Sequence, residues 1–573
     1  MEKRWSLKEK AEEKKIQELS DQLNGLNKTL CNLLIQRGIE TYQKAKAFFR
    51  PSLSALHDPF LMKDMSKAVT RIQTAIKQKE HILIYGDYDV DGTTSVALVY
   101  SFLREVYPNL SYYIPDRNKE GYGISKQGID FAFDKEISLI IALDCGIKAV
   151  EKVAYANKKN IDFIICDHHL PGEELPKAHA ILDPKQKDCN YPFKELSGCG
   201  VGFKLMQAFA EKENIPIKQL HNKLDILAVS ICADIVPIVG ENRILTHFGL
   251  KKLNSNPQAG FKAMLEIANV KKKELTVTDV VFTLAPRINA AGRIESGNKA
   301  VEAMLSADAE LALESGNYIN IQNNERRNFD QAITQEALAM IEADDKLVKQ
   351  KTTVLFKEDW HKGVIGIVAS RCIETYYRPT IILTESNGKA SGSARSVKDF
   401  SVYEALEQCS ELLEQFGGHK YAAGMTMAKE NIPAFQAKFE EVVAASIPDK
   451  LLIPEIEIDA ELELSEISAK FYQILKQFAP YGPENMSPLF LTKHVIEKGA
   501  ARIVGKNHLK LEIVDPKNPA YFYPAIGFNL GDKIDLIKQQ QAFDVVYSIE
   551  ENEWNGKISL QLNVKDIRPA VNN

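Results

Sequence analysis

Carboxylate and imidazole side chains recur directly after apolar segments of this sequence. In a doubly wound α/β sheet, ligands gather outside the carboxyl ends of the strands, so side chains that follow strand-like runs are expected to meet at one edge. Four segments carry such groups: Asp87, Asp89 and Asp91 after the run 81–85; Asp144 after 138–143; Asp167, His168 and His169 after 162–166; and Asp234 after 226–233.

So many carboxylates cannot all ionise in one pocket without compensation, because like charges raise each other's pKa. Divalent cations are the simplest compensation, and mixed carboxylate and imidazole ligation suits Mn²⁺ or Mg²⁺. Two such ions, about 3.5–4 Å apart, would activate water and stabilise an in-line displacement at phosphorus. An Asp-rich turn is also typical of a calcium loop, but the segment from 87 lacks the downstream Glu of an EF-hand.

Arginines and glycine-rich segments form a second group of residues that could bind a ligand. Glycine lets backbone N–H groups approach phosphate oxygens closely, and arginine offers a bidentate fork. These segments predict an anion site. The candidate residues are Arg117, Arg287, Arg293, Ser393, Arg395 and His419.

The pattern of apolar residues along the chain predicts the strands and helices that must position these groups. Short apolar runs alternate with helical stretches from residue 81 on, which predicts buried parallel strands in an α/β fold. A segment without proline predicts one long connecting helix, and short strand-like runs near the C-terminus predict a small β-barrel. The predicted division is a mostly helical segment 1–80, a catalytic domain 81–314, a connecting helix 315–350, a second α/β domain 351–450 and a barrel 453–573.

Bulk properties narrow the class of protein. The 573 residues carry a net charge of −5, which argues against a protein that coats DNA non-specifically. Eight cysteines occur without a CxxC pair, which favours buried thiols in a reducing cytoplasm. The N-terminus has no apolar segment typical of a signal peptide, and no run of about 18 apolar residues predicts a membrane span.

Ten short segments carry a resemblance to a known family. GDYDVDGTTS, ALDCG, CDHH and ADIVP resemble, in this order, the four motifs of the DHH phosphoesterases. PDRNKEGYG, PRINAAGR, SGSAR and GGHKYAAG resemble the RecJ branch of that family, and APYGPEN and VGKNHLK resemble its OB-fold segment. The resemblance extends from about residue 5 to the C-terminus.

The resemblance implies a fold and a dinuclear site. The fold would comprise two α/β domains, DHH and DHH-associated, joined by the long helix, plus a C-terminal OB-like β-barrel. Asp167 and His169 would be catalytic, with His169 contacting the phosphate or orienting the attacking water. Tyr85 stands where many members have a histidine, which predicts a weaker or differently ligated first metal site. The ligands would be Asp89 and Asp144 for one ion, and Asp91, Asp144, His168 and Asp234 for the other, with Asp87 as an additional ligand.

A pocket for a 5′-terminal phosphate is also implied by the resemblance. It would comprise Arg117, Ser393, Arg395 and one of Arg287 and Arg293, the other bracing the loop, with His419 at the cleft that faces the metals. The implied activity is a Mn²⁺- or Mg²⁺-dependent 5′→3′ exonuclease that hydrolyses single-stranded DNA in repair and recombination.

Two other functions remain open at this point. One is a DHH phosphodiesterase for short oligonucleotides or cyclic dinucleotides; the other is a non-catalytic scaffold that binds single strands. The implied partners are single-stranded DNA and, as suppliers of substrate, a helicase and a single-strand-binding protein. A monomer without membrane association is expected.

Overall fold

The computed structural model describes residues 2–117, 119–294, 297–306, 308–538 and 541–570. It divides into two compact units. Unit 1 comprises Leu56–Val236 and Gly240–Pro454. Unit 2 comprises Glu2–Ala55, Pro237–Val239 and the residues from Glu455 on.

Strands occur in both units. In chain order, those of the described residues are β1 Arg4–Leu7, β2 His81–Gly86, β3 Leu110–Tyr113, β4 Ile137–Leu143, β5 Asp162–Cys166, β6 Ala180–Leu182, β7 Thr353–Phe356, β8 Thr380–Ser386, β9 Lys389–Arg395, β10 Gln415–His419, β11 Ala422–Met427, β12 Glu455–Ile458, β13 Ala460–Glu461, β14 Phe490–Glu497, β15 Arg502–Val504, β16 His508–Val514, β17 Phe522–Gly527, β18 Phe543–Trp554 and β19 Lys557–Pro569.

The helices of the same residues alternate with these strands in unit 1 and are sparse in unit 2. They are α1 Glu13–Gln22, α2 Lys28–Ile35, α3 Tyr42–Phe49, α4 Met65–Gln78, α5 Val90–Arg104, α6 Lys126–Asp134, α7 Val150–Asn157, α8 Gly198–Lys212, α9 Ile217–His221, α10 Leu224–Ala233, α11 Gly240–Ser255, α12 Ala259–Ile267, α13 Val277–Asp279, α14 Ala285–Ile294, α15 Asn298–Leu305, α16 Ala309–Glu342, α17 Asp345–Lys349, α18 Ile365–Thr375, α19 Val402–Glu407, α20 Ile432–Ser446, α21 Ala469–Lys476 and α22 Ile534–Lys538.

The first sheet of unit 1 is parallel, with the strand order β3-β2-β4-β5-β6. Its central strands are buried along almost their whole length, which is why they read as continuous apolar runs in the sequence. The predicted α/β architecture is confirmed. Parallel strands end at the same edge, so the residues that follow β2, β4 and β5 come together there.

The apolar segment before Asp234 is a helix, α10, whereas the sequence groups it with strand-like runs. Nine of its ten residues, 224–232, are buried. A helix buried on all sides is apolar all round, and periodicity alone does not distinguish it from a buried strand. Asp234 is therefore the C-cap of a helix.

The second sheet of unit 1 has the order β10-β11-β9-β8-β7 and is antiparallel except between β7 and β8. The long helix α16 precedes it and contacts α12, α14 and α18. Where the sequence suggests one helix over 315–350, the structure has α16 and the short α17. Asp308 begins α16 by accepting hydrogen bonds from the N–H groups of Glu310 and Leu311.

Unit 2 is built around a closed barrel. Its sheet runs β13-β14-β18-β19-β17-β16-β15, and an additional pairing of β14 with β16 closes the ring. Strand β1 pairs with β12, and α1 to α3 share a hydrophobic core with the barrel. The sequence segment 1–80 is thus divided, since residues 2–55 lie in unit 2 and α4 lies in unit 1. The predicted OB-like barrel is confirmed. No helix among the described residues is long and apolar enough to span a membrane.

Candidate functional site

The acidic and imidazole candidates of unit 1 lie along the carboxyl edge of the first sheet. The turn after β2 supplies Asp87 and Asp89, and the first turn of α5 supplies Asp91. Asp144 follows β4, and the Asp-His-His segment 167–169 follows β5. The parallel order of β2, β4 and β5 therefore places these groups side by side.

Hydrogen bonds fix the turn that follows β2. Asp89 caps α5, because its side chain accepts from the N–H of Gly92 at 3.0 Å. Asp87 is fully buried and accepts from the N–H of Gly123 at 3.0 Å. A Cβ at Gly92 would lie 2.4 Å from the carbonyl oxygen of Asp87, so this close approach requires glycine.

Asp91 holds three helices together. Its carboxylate accepts from the N–H groups of Gly198 at 2.6 Å and Cys199 at 2.9 Å, in the first turn of α8. It also accepts from the hydroxyl of Ser230, in α10, at 2.6 Å. Because Asp91 itself belongs to α5, one carboxylate fixes α8 and α10 against the carboxyl edge of the sheet.

Asp144 adopts the left-handed conformation, with φ of 59°, and is 2% exposed. Its N–H donates to the carbonyl oxygen of Cys166 at 2.8 Å. Aspartate adopts the left-handed conformation more readily than most residues with a Cβ, because its short polar side chain can hydrogen-bond locally. Gly198 lies so close to Asp144 that an added Cβ would be 2.6 Å from Oδ1 of the carboxylate.

His168 lies among three carboxylates. Its Nε2 is 3.2 Å from Oδ1 of Asp144, 3.6 Å from Oδ2 of Asp234 and 3.8 Å from Oδ2 of Asp91. Two overlapping triads have donor atoms within 4.8 Å of one another: Asp144, His168 and His169, and Asp91, His168 and Asp234. The structure thus brings together residues that belong to α5 or follow β4, β5 and α10.

Several buried oxygen and nitrogen atoms of this group, all of types that can ligate a metal, lack a hydrogen-bond partner among the described residues. They are Oδ2 of Asp87, Oδ1 of Asp144, Oδ2 of Asp234 and both ring nitrogens of His168. Burial, and next the neighbouring carboxylates, raises the pKa of Asp87, Asp144 and Asp234 well above the usual range. Unpaired buried polar atoms are costly, and oxygen and imidazole donors suit Mn²⁺ or Mg²⁺. The residues present therefore fit divalent cations.

Asp167 and His169 form a hydrogen-bonded pair beside this group. Nδ1 of His169 lies 2.7 Å from Oδ1 of Asp167, which also accepts from the N–H of His168, while Oδ2 accepts from the N–H of Ile147. Burial would raise the pKa of Asp167, but the bond to His169 and the other donors lower it to about 2. Asp167 is therefore ionised and holds the proton of His169 on Nδ1. Nε2 of His169 lies 3.2 Å from the hydroxyl of Tyr122.

Tyr85 is buried in the scaffold of the site. Its hydroxyl donates to the carbonyl oxygen of Gly123 at 2.9 Å and accepts from the N–H of Ser125 at 3.1 Å. Its ring stacks on Tyr113, with centroids 5.4 Å apart. Burial raises the pKa of Tyr85 far above the usual value, so the phenol stays neutral. Since the N–H of Gly123 bonds Asp87, Tyr85 supports the loop that orients this carboxylate.

A cluster of arginines, which we call the arginine cluster, comprises Arg117, Arg293, Arg326 and Arg395. The guanidinium of Arg117 lies 5.1 Å from the ring centroid of Tyr88, in the turn after β2. Burial, followed by the charges of Arg117, Arg326 and Arg395, lowers the pKa of Arg293 to about 10. No ion pair to a carboxylate within 4 Å is found for these four arginines in the described part of the chain. Like charges held together without a directly paired carboxylate are typical of an anion site.

Strand β9 supplies Ser393 and Arg395 to the cluster. Nη1 of Arg395 donates to the hydroxyl of Ser393 at 3.0 Å and to the carbonyl oxygen of Ala394 at 2.8 Å. The first turn of α18 packs against both side chains, since a Cβ at Gly366 would lie 2.7 Å from Nη2 of Arg395 and 2.9 Å from the Ser393 hydroxyl. The Ser393–Arg395 pair is therefore fixed in place by the fold.

Two arginines of α14 have different surroundings. Arg293 donates to the carbonyl oxygen of Gly363 at 2.9 Å, just before α18. Arg287 donates to the carbonyl oxygen of Thr283 at 2.7 Å and to the side chain of Asn320, in α16, at 3.2 Å. The structure therefore brings Arg293 to the arginine cluster, whereas Arg287 joins α14 to α16.

Arg326 is absent from the residues predicted from sequence. It lies in α16, where its Nη2 donates to the side chain of Asn323 at 3.0 Å and its Nε is buried with no partner among the residues that the structure describes. In the sequence it belongs to a polar stretch of a long helix, where arginines are usually solvated. Only the packing of α16 against α14 and α18 reveals its position.

A cleft of about 730 Å³ opens beside the carboxylate–imidazole group. None of the four clustered arginines lines it. His419 reaches it from β10, and burial, then the charges of Lys148 and His169, lowers the pKa of His419. Other lining residues are Asp89, Tyr122, Ile124, Gly146, Lys148, Glu151, Lys152, Asp167 and His169.

Three family models match the chain. The model of the DHH family, N-terminal domain, matches residues 81–231, and that of the DHHA1 domain matches 349–445. Both ranges lie in unit 1. The model of the RecJ OB domain matches residues 458–566, in unit 2.

Whole proteins are similar as well. The single-stranded-DNA-specific exonuclease RecJ of Bacillus subtilis is 36% identical over 567 residues, covering 98% of this chain and 70% of its own. The crystal structure of RecJ in complex with Mn²⁺ from Thermus thermophilus matches with a TM-score of 0.85 and 27% identity, over 99% of this chain and 80% of that one. The corresponding complex with Mg²⁺ matches with a TM-score of 0.78 and 26% identity, over 99% and 79%.

Proposed function

The chain belongs to the RecJ family of single-stranded-DNA-specific exonucleases, and we propose that it hydrolyses single-stranded DNA from the 5′ end by two-metal-ion catalysis. The supporting observation is that two oppositely charged groups of unit 1 meet at the turn after β2, where Arg117 lies 5.1 Å from the ring of Tyr88 and its charge opposes the rise in the pKa of Asp87. One is the buried carboxylate–imidazole group with unpartnered donor atoms, and the other is the arginine cluster. The first suits divalent cations and the second suits a phosphate with more than one negative charge.

The ligand assignment follows the family resemblance. Bound Mn²⁺ or Mg²⁺ ions would activate water and stabilise the attacking and leaving oxygens. Asp91 would also hold α8 and α10 beside the ligands, since its carboxylate accepts hydrogen bonds from both helices. We assign Asp89 and Asp144 to one ion and Asp91, Asp144, His168 and Asp234 to the other, with Asp87 as an additional ligand.

His169 acts on the substrate through Nε2. The ionised Asp167 keeps the proton of the imidazole on Nδ1, so Nε2 is the ring nitrogen that remains for a phosphate oxygen or for the attacking water. The hydroxyl of Tyr122 lies 3.2 Å from Nε2 and helps to set the direction of the ring. A side chain oriented by a buried carboxylate in this way is typical of general acid–base catalysis.

The arginine cluster would hold the 5′-terminal phosphate. Arg117, Arg293 and Arg395 present guanidinium donors, and Ser393 adds a hydroxyl fixed by Arg395. We include Arg326 in the pocket and give Arg287 the bracing role. With its end held there, a strand would present its first phosphodiester to the carboxylate–imidazole group, which gives 5′→3′ polarity.

We further propose a functional division of the chain. The catalytic domain would span 81–314, the connector 315–350, the DHHA1-like domain 351–450 and the strand-binding barrel 453–573. A barrel of this type binds long single strands, which a cyclic dinucleotide does not need. A helicase and a single-strand-binding protein would supply substrate to a monomer in the cytoplasm.

The test is digestion of a single strand labelled at its 3′ end. With Mn²⁺ or Mg²⁺, the labelled strand should shorten stepwise, 5′-phosphorylated strands should be cut faster than 5′-hydroxyl strands, and blunt duplex should resist. EDTA should stop the reaction. Asp91→Ala should abolish it while the thermal transition remains cooperative.

Three outcomes would contradict the proposal. Release of the 3′-terminal label as a mononucleotide in the first turnovers would reverse the polarity. Preference for a cyclic dinucleotide over a long strand would favour the alternative phosphodiesterase. Metal-independent binding of single strands without any cleavage would favour the scaffold.

A further inference from the structure

One side of the cleft carries two lysines that the proposed chemistry does not use, next to Tyr122, whose hydroxyl orients His169. We call Tyr122, Lys148 and Lys152 the cleft wall. All three line the same cleft as Asp89 and His169. The loop between β3 and α6 supplies Tyr122, and the turn between β4 and α7 supplies Lys148. The cleft wall thus lies directly beside the place where the scissile phosphate would react.

The lysines give the cleft wall positive charge. Lys148 is exposed, and neither it nor Lys152 forms a salt bridge or a side-chain hydrogen bond within the described residues. The charge of Lys148 also helps to lower the pKa of His419, which lines the same cleft. Glu151 lies in the same lining, and the other two acidic residues of the lining, Asp89 and Asp167, belong to the reactive group and not to the cleft wall. Unpaired ammonium groups beside a phosphodiester site are typical contacts to nucleic acid phosphates.

Tyr122 gives the cleft wall an aromatic surface. Its side chain is 54% exposed, although its hydroxyl lies 3.2 Å from Nε2 of His169 and 3.3 Å from the carbonyl oxygen of Asp144. The ring meets Tyr88 edge to face, with centroids 6.2 Å apart. A ring held in place at its hydroxyl end loses little entropy when a base stacks on it.

We propose that the cleft wall binds the strand on the 3′ side of the scissile phosphodiester, with Lys148 and Lys152 contacting its phosphates and Tyr122 its first base. The inference rests on the proposed function, because it takes the arginine cluster as the seat of the 5′-terminal phosphate. The terminal nucleotide then spans from that cluster to the carboxylate–imidazole group. The remaining strand must leave through space that touches the reactive group without touching the arginines, and the cleft meets this condition.

The proposal predicts an effect that depends on substrate length. A 5′-phosphorylated dinucleotide has a terminal and a scissile phosphate but none beyond, whereas a longer strand, of about ten nucleotides, continues along the cleft wall. Lys148→Ala should raise the KM for the longer strand about tenfold and leave the KM for the dinucleotide within about twofold. The slope of log KM against log salt should become shallower by about 0.7 for the long strand alone.

Lys158→Ala is the matched control, since Lys158 is an exposed lysine at the far end of α7. It should leave both KM values unchanged, and Lys148→Arg should restore the long-strand KM. For the aromatic contact, Tyr122→Leu should raise KM for both substrates, while Tyr122→Phe should keep KM and lower only kcat. Circular dichroism should show all variants folded.

The inference is overturned if Lys148→Ala raises the KM for both substrates equally, or if Lys158→Ala has the same effect. It is also overturned if Lys148→Ala changes only inhibition by the released 5′-mononucleotide, because the cleft would then hold the product. A wild-type protein that cuts neither substrate in Mn²⁺ would instead refute the proposed function. The two failures are therefore distinguishable.

Discussion

At the scale of single residues, the site holds several buried carboxylates whose oxygens are only partly hydrogen-bonded. Asp87, Asp144 and Asp234 are at least three-quarters buried, and each has an oxygen without a partner among the described residues. Burial and mutual repulsion both disfavour their charged forms. Cations that bind only the folded state would relieve this repulsion and add their binding free energy to stability. Metal content, pH and stability are therefore coupled at these residues.

The metal-free protein should lose stability as the pH rises. Burial, and next the neighbouring carboxylates, raises the pKa of Asp87, Asp144 and Asp234 in the folded state above the unfolded value of about 4. The folded state therefore binds more protons, and the free energy of unfolding falls as the pH rises from about 4 through the folded pKa values. Each unit of pKa shift contributes about 1.4 kcal/mol. Thermal melts of EDTA-treated protein from about pH 5 to about pH 8 measure this.

Asp144→Asn provides the control for this prediction. The variant removes one repelling charge, so its metal-free melting temperature should depend less on pH than that of the wild type. Saturating Mn²⁺ should raise the melting temperature of the wild type at neutral pH and that of the variant much less. Equal pH dependence in both proteins would contradict the assigned repulsion.

Asp167→Asn should lower kcat while the protein stays folded. The ionised Asp167 fixes the proton of His169 on Nδ1, and an amide does not enforce that tautomer. General acid–base catalysis contributes about 10²- to 10⁴-fold, so we expect a loss in kcat of this order with a smaller change in KM. Asp134→Asn, at an exposed position at the end of α6, should have no effect. Unchanged kcat in Asp167→Asn would contradict a role for this pair.

At the scale of elements, the site depends on which helix faces meet. Helices α5, α8 and α10 fix the carboxylates through Asp91, while α14, α16 and β9 assemble the arginine cluster. The runs before Asp144 and the Asp-His-His segment 167–169 were recognisable as strands because buried parallel strands are continuously apolar. The helix before Asp234 was not, since a fully buried helix carries the same pattern.

The arginines show that local sequence patterns do not predict which side chains meet in the folded protein. Arg287 and Arg293 belong to one short motif, and nothing in the sequence decides which of them faces the phosphate. The answer depends on how α14 packs against α16 and α18, a contact between residues distant in the chain. Arg326 was not predicted for the same reason: its position in α16 places it on the face of the buried Ile319, but nothing in the sequence shows that this face meets α14 and α18.

Arg326→Ala should weaken recognition of a 5′-phosphate. Hydrogen bonds to charged groups contribute about 1.5–3 kcal/mol, so kcat/KM for 5′-phosphorylated strands should fall roughly ten- to hundredfold. Strands with a 5′-hydroxyl should be cut at an unchanged rate, because they do not fill the pocket. Arg327→Ala is the matched control, since Arg327 is the exposed neighbour in α16. An equal loss on both kinds of strand end would place Arg326 outside the phosphate pocket.

At the scale of the whole molecule, unit 2 combines residues 2–55 of the chain with the residues from Glu455 on. Helices α1 to α3 pack in one hydrophobic core with the barrel strands, although hundreds of residues separate them. The sequence suggested the barrel from its short strands and turns. It did not suggest that residues 2–55 belong with it, because a helical segment carries no local sign of the partner it covers. The N-terminal segment is therefore part of the unit that contains the OB fold.

Leu30→Ala should destabilise unit 2 and spare the chemistry of unit 1. Leu30 in α2 is fully buried in the shared core, and such a truncation costs about 2–5 kcal/mol. Calorimetry should show a lower transition temperature for the part of the protein that contains the barrel, with weaker binding of long single strands. Hydrolysis of a 5′-phosphorylated dinucleotide should continue, because its ligands and phosphate pocket lie in unit 1. Lys14→Ala, exposed on α1, should match the wild type. Loss of dinucleotide hydrolysis in step with the barrel transition would show that the two units do not act separately.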